Sequence, residues 1–307
     1  MDNNLWKSLN DKSRSIETEM DTLARKRTGS YYTDLRLTDV MMTELVNRMK
    51  ENGKKLIECR FFEPCVGAGN FVFSYIDAVR KIENINREDA EILLNNIYVA
   101  DVNQEALKGY KESLRELAYA GWGIELTTEY FDQHCGSGLL VDVTAPELRY
   151  ISIQEIFSSE IFKNGFDVVA TNPPYKNLKA ERNQYGTEDE YLTDKDKYSC
   201  ISDIVEDRFL YSTDGVLNLY KLFVEEIIDR YASESAYVSL LIPSSIMSDK
   251  TCQKLRTHIL KDSNLLSIKV IGEGSGYIDA QQALSAILLH KGETTKTVQV
   301  VKDYFNK

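Results

Sequence analysis

The sequence predicts an α/β fold, a doubly wound and mostly parallel sheet with an N-terminal helical extension. Three observations carry this expectation. Short apolar runs alternate with longer stretches of helical periodicity along the 307 residues, as successive βαβ units do. One of these runs, Phe166 to Ala170, reads as a buried parallel strand. It passes directly into Asn172-Pro173-Pro174-Tyr175, and because neither proline has an N–H to donate, the strand must stop there. Finally, Glu63-Pro64-Cys65-Val66-Gly67-Ala68-Gly69-Asn70-Phe71 lies between a short strand and a helix. Its two glycines permit a tight turn and close approach of the backbone to a ligand.

In chain order, residues 1–28 read as a polar helical arm, with Leu5, Leu9, Ile16, Met20 and Leu23 on one loose stripe. Residues 29–290 form one large domain, and 291–307 are a tail with at most one strand. Thr38 is placed to cap a helix that runs to residue 50. Cys59 to Phe62 is the first strand and Asn96 to Ala100 the second, ending at Asp101; a helix follows over 103–120. Leu139-Leu140-Val141 and Ile151-Ser152-Ile153 are strand candidates. Residues 176 to about 215 are polar, Tyr-rich and nearly without periodicity, so they read as a long loop, either functional or disordered. An amphipathic helix over 218–231 and strands over 236–242, 265–271 and 283–289 complete the domain.

Composition narrows the function. The net charge of −11 argues against a self-sufficient DNA binder, since phosphate contacts demand a basic face. Local cations remain, notably Arg25-Lys26-Arg27 and the trio Lys176, Lys179 and Arg182. The five cysteines contain no CxxC pair and the three histidines are scattered. A metal site is not expected, and a reducing, cytoplasmic setting is. No apolar run approaches the ~20 residues of a membrane span.

The turn at Asn172 offers an amide, fixed carbonyls and the Tyr175 ring at the carboxyl end of a strand, where open α/β sheets place ligands. Those groups suit a flat heterocycle bearing an exocyclic amine. In the glycine loop Val72 stands where a dinucleotide fingerprint wants its third glycine, which disfavours NAD. Asp101 is placed either to accept the hydroxyls of a ribose or to cap the following helix.

Asn172-Pro173-Pro174-Tyr175 resembles the Asn/Asp-Pro-Pro-aromatic motif of S-adenosylmethionine-dependent amino-methyltransferases. Glu63-Pro64 with Gly67, Gly69 and Phe71 resembles their methionine-moiety loop. Gly29-Ser30-Tyr31-Tyr32-Thr33-Asp34 resembles the cofactor-closing Gly-x-Tyr-Tyr-Thr-Pro segment, with Asp34 in the place of proline and a less rigid turn expected. The order of these elements is that of gamma-type DNA adenine-N6 methyltransferases of restriction-modification systems, and the resemblance spans roughly residues 29–290.

The resemblance implies a Rossmann-like class I methyltransferase domain that binds S-adenosylmethionine through Tyr32, Thr33, Glu63, Pro64, Gly67, Gly69, Phe71, Asp101 and Asn172. Glu155, in preference to Asp142, would meet the cofactor adenine. Catalysis would fall to Asn172, Pro173, Pro174 and Tyr175, and a flipped base would meet Tyr175, Lys176 and Tyr277. DNA is the implied substrate. With little chain after Leu289, target recognition is expected on a separate specificity or restriction subunit, or on further chain. The alternatives are a release-factor glutamine-N5 methyltransferase, an N4-cytosine or RNA-adenine enzyme, and a scaffold subunit without catalysis.

Overall fold

The computed structural model describes residues 33–138, 140–158, 162–273 and 282–302, together with Ser8, Asp11 and Ser15, each helical. The rest of the expected arm, and Tyr32 and Tyr277, lie outside the described residues.

The first half comprises α1 (Leu35–Glu51), β1 (Phe61–Glu63), α2 (Asn70–Glu83), α3 (Arg87–Asn95), β2 (Ile97–Asp101), α4 (Gln104–Trp122), α5 (Thr128–His134) and β3 (Cys135–Ser137). Then come β4 (Leu140–Val141), β5 (Tyr150–Ile151), the single turn α6 (Ile153–Ile156) and β6 (Phe166–Thr171). The remainder is α7 (Glu188–Tyr198), α8 (Ile201–Val205), α9 (Leu219–Glu226), β7 (Ala232–Pro243), α10 (Gln253–Asp262), β8 (Ser263–Ile271), β9 (Leu284–Lys291) and β10 (Gln299–Val301).

The main sheet has eight strands in the order β10-β8-β9-β7-β6-β1-β2-β3. β9 runs antiparallel to both of its neighbours, whereas the other pairings are parallel. This is the doubly wound, mostly parallel sheet that the sequence predicts. The strand order reverses at β1, which lies between β6 and β2, so the carboxyl ends of β1, β2 and β6 border a switch-point crevice.

Both faces of the sheet are covered. Successive residues of a strand point to opposite faces. Phe61 stacks on Tyr75 of α2 at 4.5 Å on one side, and Phe62 stacks on Phe166 of β6 at 4.5 Å on the other. The first face buries α1, α2 and α4 through residues such as Met42, Leu45, Val72, Ile76 and Leu114. The second buries α9 and α10 through Leu222, Phe223, Leu255 and Ile259.

The structure corrects the sequence reading in three places. The strand beside β2 is Cys135–Ser137, which the sequence reading did not mark. Leu140–Val141 instead pairs antiparallel with Tyr150–Ile151 in a separate two-stranded ribbon. The expected loop over 176–215 carries α7 and α8. Thr187 and Glu190 form a capping box that starts α7, and Tyr198, Ile201, Val205 and Phe209 anchor the segment in the second core. The helix expected to open at Thr38 starts at Leu35, with Asp34 as its cap; the one strand allowed for the tail is β10, which pairs in parallel with β8.

Gly136 explains why β3 is so weakly apolar. A Cβ there would overlap the Ile156 side chain of α6 and come within 3.4 Å of the Phe157 ring, so α6 lies directly on the strand. We therefore expect Gly136→Ala to destabilise the protein by about 1–3 kcal/mol through overpacking. Adding Ile156→Ala should cost less in this background than in the wild type, as a double-mutant cycle in chemical denaturation would show.

Candidate active site

The glycine loop is fastened to the neighbouring strand. Gly67 and Gly69 have φ of +50° and +94°, a region that side-chain-bearing residues avoid. A Cβ on Gly69 would lie 2.5 Å from the Tyr110 ring, so α2 starts at its observed place only because the residue is glycine. The Val66 N–H donates to the Ala100 carbonyl at 3.0 Å. The Gly67 N–H donates to Asp101 Oδ2 at 2.7 Å. Asp101 Oδ1 accepts from the Asn103 N–H at 2.8 Å, and Asn103 itself caps α4. Asp101 thus sets the shape of the loop, and the helix cap belongs to Asn103.

Glu63 ends β1 and is 1% exposed. Its carboxyl is held well above the usual glutamate range, first by burial and then by repulsion from Asp101, against a hydrogen bond from the Val72 N–H. Burial likewise raises Asp101, against the hydrogen bonds from Asn103 and Gly67. Glu63 Oε2 and Asn70 Oδ1 are buried with no hydrogen-bond partner among the described residues. Buried acceptors of this kind cost stability unless something donates to them. A half-buried glycine turn beside unsatisfied acceptors suits a ligand with a cationic amino group and sugar hydroxyls, so the set fits S-adenosylmethionine. Glu63 and Gly67 would hold its amino-acid end, and Asp101 the ribose.

At the end of β6 the Asn172 side-chain amide is engaged at both ends. Its Nδ2 donates to Thr33 Oγ1 at 2.8 Å. Its Oδ1 faces the Tyr175 hydroxyl, which also lies 2.9 Å from the Leu241 carbonyl of β7. The Thr33 carbonyl accepts from Asn70 Nδ2 at 2.6 Å, joining the segment before α1 to the first residue of α2. Asp34 caps α1, accepting from the Arg36 N–H at 2.9 Å and from its guanidinium. The aspartate thus restrains the turn that was expected to be less rigid than one with proline. Beyond Tyr175 lies a cavity of about 460 Å³, walled by Tyr175, Asn177, Tyr220, Lys221, Pro243 and Ser245.

Three expected site residues are placed elsewhere. Lys176 is 2% exposed; its ammonium donates to Gln184 Oε1 and its carbonyl accepts from the Leu219 N–H at 2.8 Å. An amine so enclosed ties the turn to the following loop and cannot reach a phosphate at the surface. Phe71 is 2% exposed and packs within the first core. Glu155 closes a capping box with Ser152 and pairs with Arg149 at 2.6 Å on the exposed surface, so its carboxylate is spent on local structure. Asp142, the other candidate, accepts from the Thr144 N–H at 2.8 Å.

Ser137, which the sequence reading did not single out, ends β3 in register with Asp101, at the carboxyl edge of the neighbouring strand. Pro64 is buried behind the loop and Pro173 within the turn, while Pro174 is partly exposed. Among the described residues, no group of three or more His, Cys, Asp or Glu could hold a metal ion. No helix among them is long and apolar enough to cross a membrane.

The family model described as Eco57I restriction-modification methylase matches residues 95–275. No curated protein matches the chain. Solved structures do. The DrdV–DNA complex superimposes with a TM-score of 0.67 at 15% identity, covering 97% of this chain and 30% of DrdV. A modification subunit of a putative type I restriction enzyme from Vibrio vulnificus gives 0.55 at 16%, covering 94% and 51%. A putative class I S-adenosylmethionine-dependent methyltransferase from Listeria monocytogenes gives 0.57 at 12%, covering 98% and 74%. At these identities the likeness is one of fold. The chain spans about a third of DrdV and half of the Vibrio subunit.

The state of Glu63 yields a stability test. Because its folded-state value is raised, the folded protein holds the proton more tightly than the unfolded chain does. The stability Glu63 gives is therefore full below its ordinary value of 4.5 and is lost as pH rises through the folded value. Glu63→Gln should melt about 2–4 °C higher than wild type near pH 8, with the gap closing towards pH 5, in paired thermal scans. The same variant should bind S-adenosylmethionine about 10–100-fold more weakly, measured by calorimetry, for want of a charged acceptor.

Proposed function

Because the chain belongs to the Eco57I restriction-modification methylase family, we propose that it transfers a methyl group from S-adenosylmethionine to N6 of an adenine swung out of DNA. The setting would be a restriction-modification or related phage-defence system. The observation that carries this reading is the Asn172 amide, held at the carboxyl end of β6 between Thr33 and Tyr175.

The N6 lone pair of adenine is delocalised into the ring and makes a poor nucleophile. When bound, the cofactor supplies an electrophilic sulfonium methyl. Asn172 Oδ1 and the Pro173 carbonyl accept the two N6–H groups and draw the nitrogen towards tetrahedral geometry. Its lone pair is then freed and aimed. An amide oxygen carries two lone pairs, so the contact with Tyr175 does not by itself bar a hydrogen bond from the substrate. The methyl's bond to sulfur breaks as its bond to N6 forms, leaving a neutral thioether, and one proton of the now cationic N6 passes to water. The residues thus supply positioning and electrostatic preorganisation, with no strong base required.

The cavity beyond Tyr175 is large enough for a nucleobase. Extrusion of the base costs a few kcal/mol, and stacking on Tyr175 offsets about 1–3 kcal/mol of it. DrdV and LlaBIII, which share the fold, are described in complexes with DNA. The Vibrio neighbour is a subunit of a larger enzyme, which supports a separate specificity or restriction subunit as the partner here.

The test offers cofactor labelled in its methyl group to unmethylated duplex DNA and, in parallel, to a bacterial protein extract, followed by digestion to nucleosides. Label is expected in N6-methyladenine. Label in N4-methylcytosine would replace the adenine assignment, and label confined to protein would move the enzyme to the glutamine class. In the active preparation, Asn172→Ala should slow transfer at least about 100-fold while cofactor affinity stays within about threefold of wild type.

A further inference from the structure

We propose that Thr33 is the positioning residue for Asn172, acting through its hydroxyl on the amide rather than on the cofactor. The inference rests on Asn172 as the acceptor for the target amine. Sequence resemblance assigns Thr33 to the cofactor-closing segment, yet its Oγ1 lies 2.8 Å from Asn172 Nδ2. Thr33 is 6% exposed, so this hydrogen bond is sheltered from water.

An asparagine amide has a broad, two-fold preference about its last torsion. Unrestrained, it can turn its nitrogen towards the substrate, and a second donor facing N6 would repel the amine. Tyr175 does not fix the amide alone, because its one hydroxyl proton is shared between Asn172 Oδ1 and the Leu241 carbonyl. Thr33 takes the nitrogen end, which keeps the oxygen end turned towards Tyr175 and towards the side from which the substrate amine would approach.

Thr33 is itself held. Asn70 Nδ2 grips its carbonyl at 2.6 Å, and the next residue, Asp34, is locked into the cap of α1. Asn70 is the first residue of α2, directly after Gly69. The orientation of the catalytic amide is therefore referred to the same turn that would hold the cofactor. A shift of the cofactor loop would pass through Asn70 and Thr33 to Asn172, so methyl donor and acceptor amide are aligned by one chain of contacts.

The experiment compares Thr33→Val, which keeps the shape and removes the hydroxyl, with Thr33→Ser, which keeps the hydroxyl. Single-turnover transfer to DNA at saturating cofactor and cofactor affinity by calorimetry are measured for each. Thr33→Val should lose about 10–100-fold in the transfer rate, as expected for a displaced reacting group, with cofactor affinity within about threefold. Thr33→Ser should recover most of the rate.

A Thr33→Val enzyme as fast as wild type overturns the proposal, as does a loss carried wholly by cofactor affinity or a Thr33→Ser variant no better than Thr33→Val. If wild type transfers no methyl to DNA, it is the functional reading that fails. Hydrogen exchange of the Asn172 side-chain amide by NMR then still decides the role of Thr33. Protection lost in Thr33→Val and restored in Thr33→Ser supports it, and unchanged protection refutes it.

Discussion

Two adjacent prolines at the end of a central strand are the constraint from which the site follows. β6 lies between β1 and β7 and is paired on both sides through Val169. Pro173 and Pro174 have no N–H with which to continue either ladder. The chain must leave the sheet at Asn172, beside the ends of β1 and β2. Beyond the turn, the segment is stitched to the start of α9 by the Leu178 N–H to the Leu217 carbonyl and the Leu219 N–H to the Lys176 carbonyl. A turn pinned on both sides can hold a side-chain amide in one direction, which a mobile loop cannot.

The electrostatics of the crevice work against stability. Glu63 and Asp101 are both buried, and burial raises both carboxyls. Asp101 recovers part of this cost through the N–H groups of Gly67 and Asn103. Glu63 has the Val72 N–H on one side and, on the other, an Oε2 with no partner among the described residues. A core position optimised for stability would hold an apolar residue there. A carboxyl kept in that state is consistent with selection for binding a cationic group, the usual direction of the exchange between stability and function.

Much of this was legible in the sequence because the signals are local. The prolines after an apolar run, the two glycines before a helix and Asp101 at a strand end each impose a backbone consequence within a few residues. β3 was not legible, since Cys135-Gly136-Ser137 has the small side chains that contact with Ile156 requires, and the neighbouring leucines gave a stronger apolar signal. α7 buries only Tyr198, so no amphipathic pattern marks it, although the Thr187–Glu190 cap was there to be read. The Thr33–Asn172 bond joins residues 139 positions apart, and the Asn70–Thr33 bond spans 37. Periodicity does not reach such distances; only the closed sheet brings the partners together. Lys176 misled for a related reason, because its charge is visible in the sequence and its burial is not.

The cations around the turn bear on how a duplex would be held. Lys176 points inward to Gln184. Lys179 pairs with Glu181 at 3.3 Å and Arg182 with Glu188 at 2.8 Å. These are the basic residues the sequence offers nearest the catalytic turn, and each is already engaged by an acceptor of the chain itself. On a chain of net charge −11, a phosphate backbone approaching this region would have to displace carboxylates before meeting a cation. On the function proposed above, this geometry would favour a division of labour in which the crevice holds the base and cofactor while phosphate contacts fall to basic surface outside the turn. Such a division would separate the affinity for DNA, and its dependence on salt, from the methyl-transfer step, which the same proposal assigns to the residues at the ends of β1, β2 and β6.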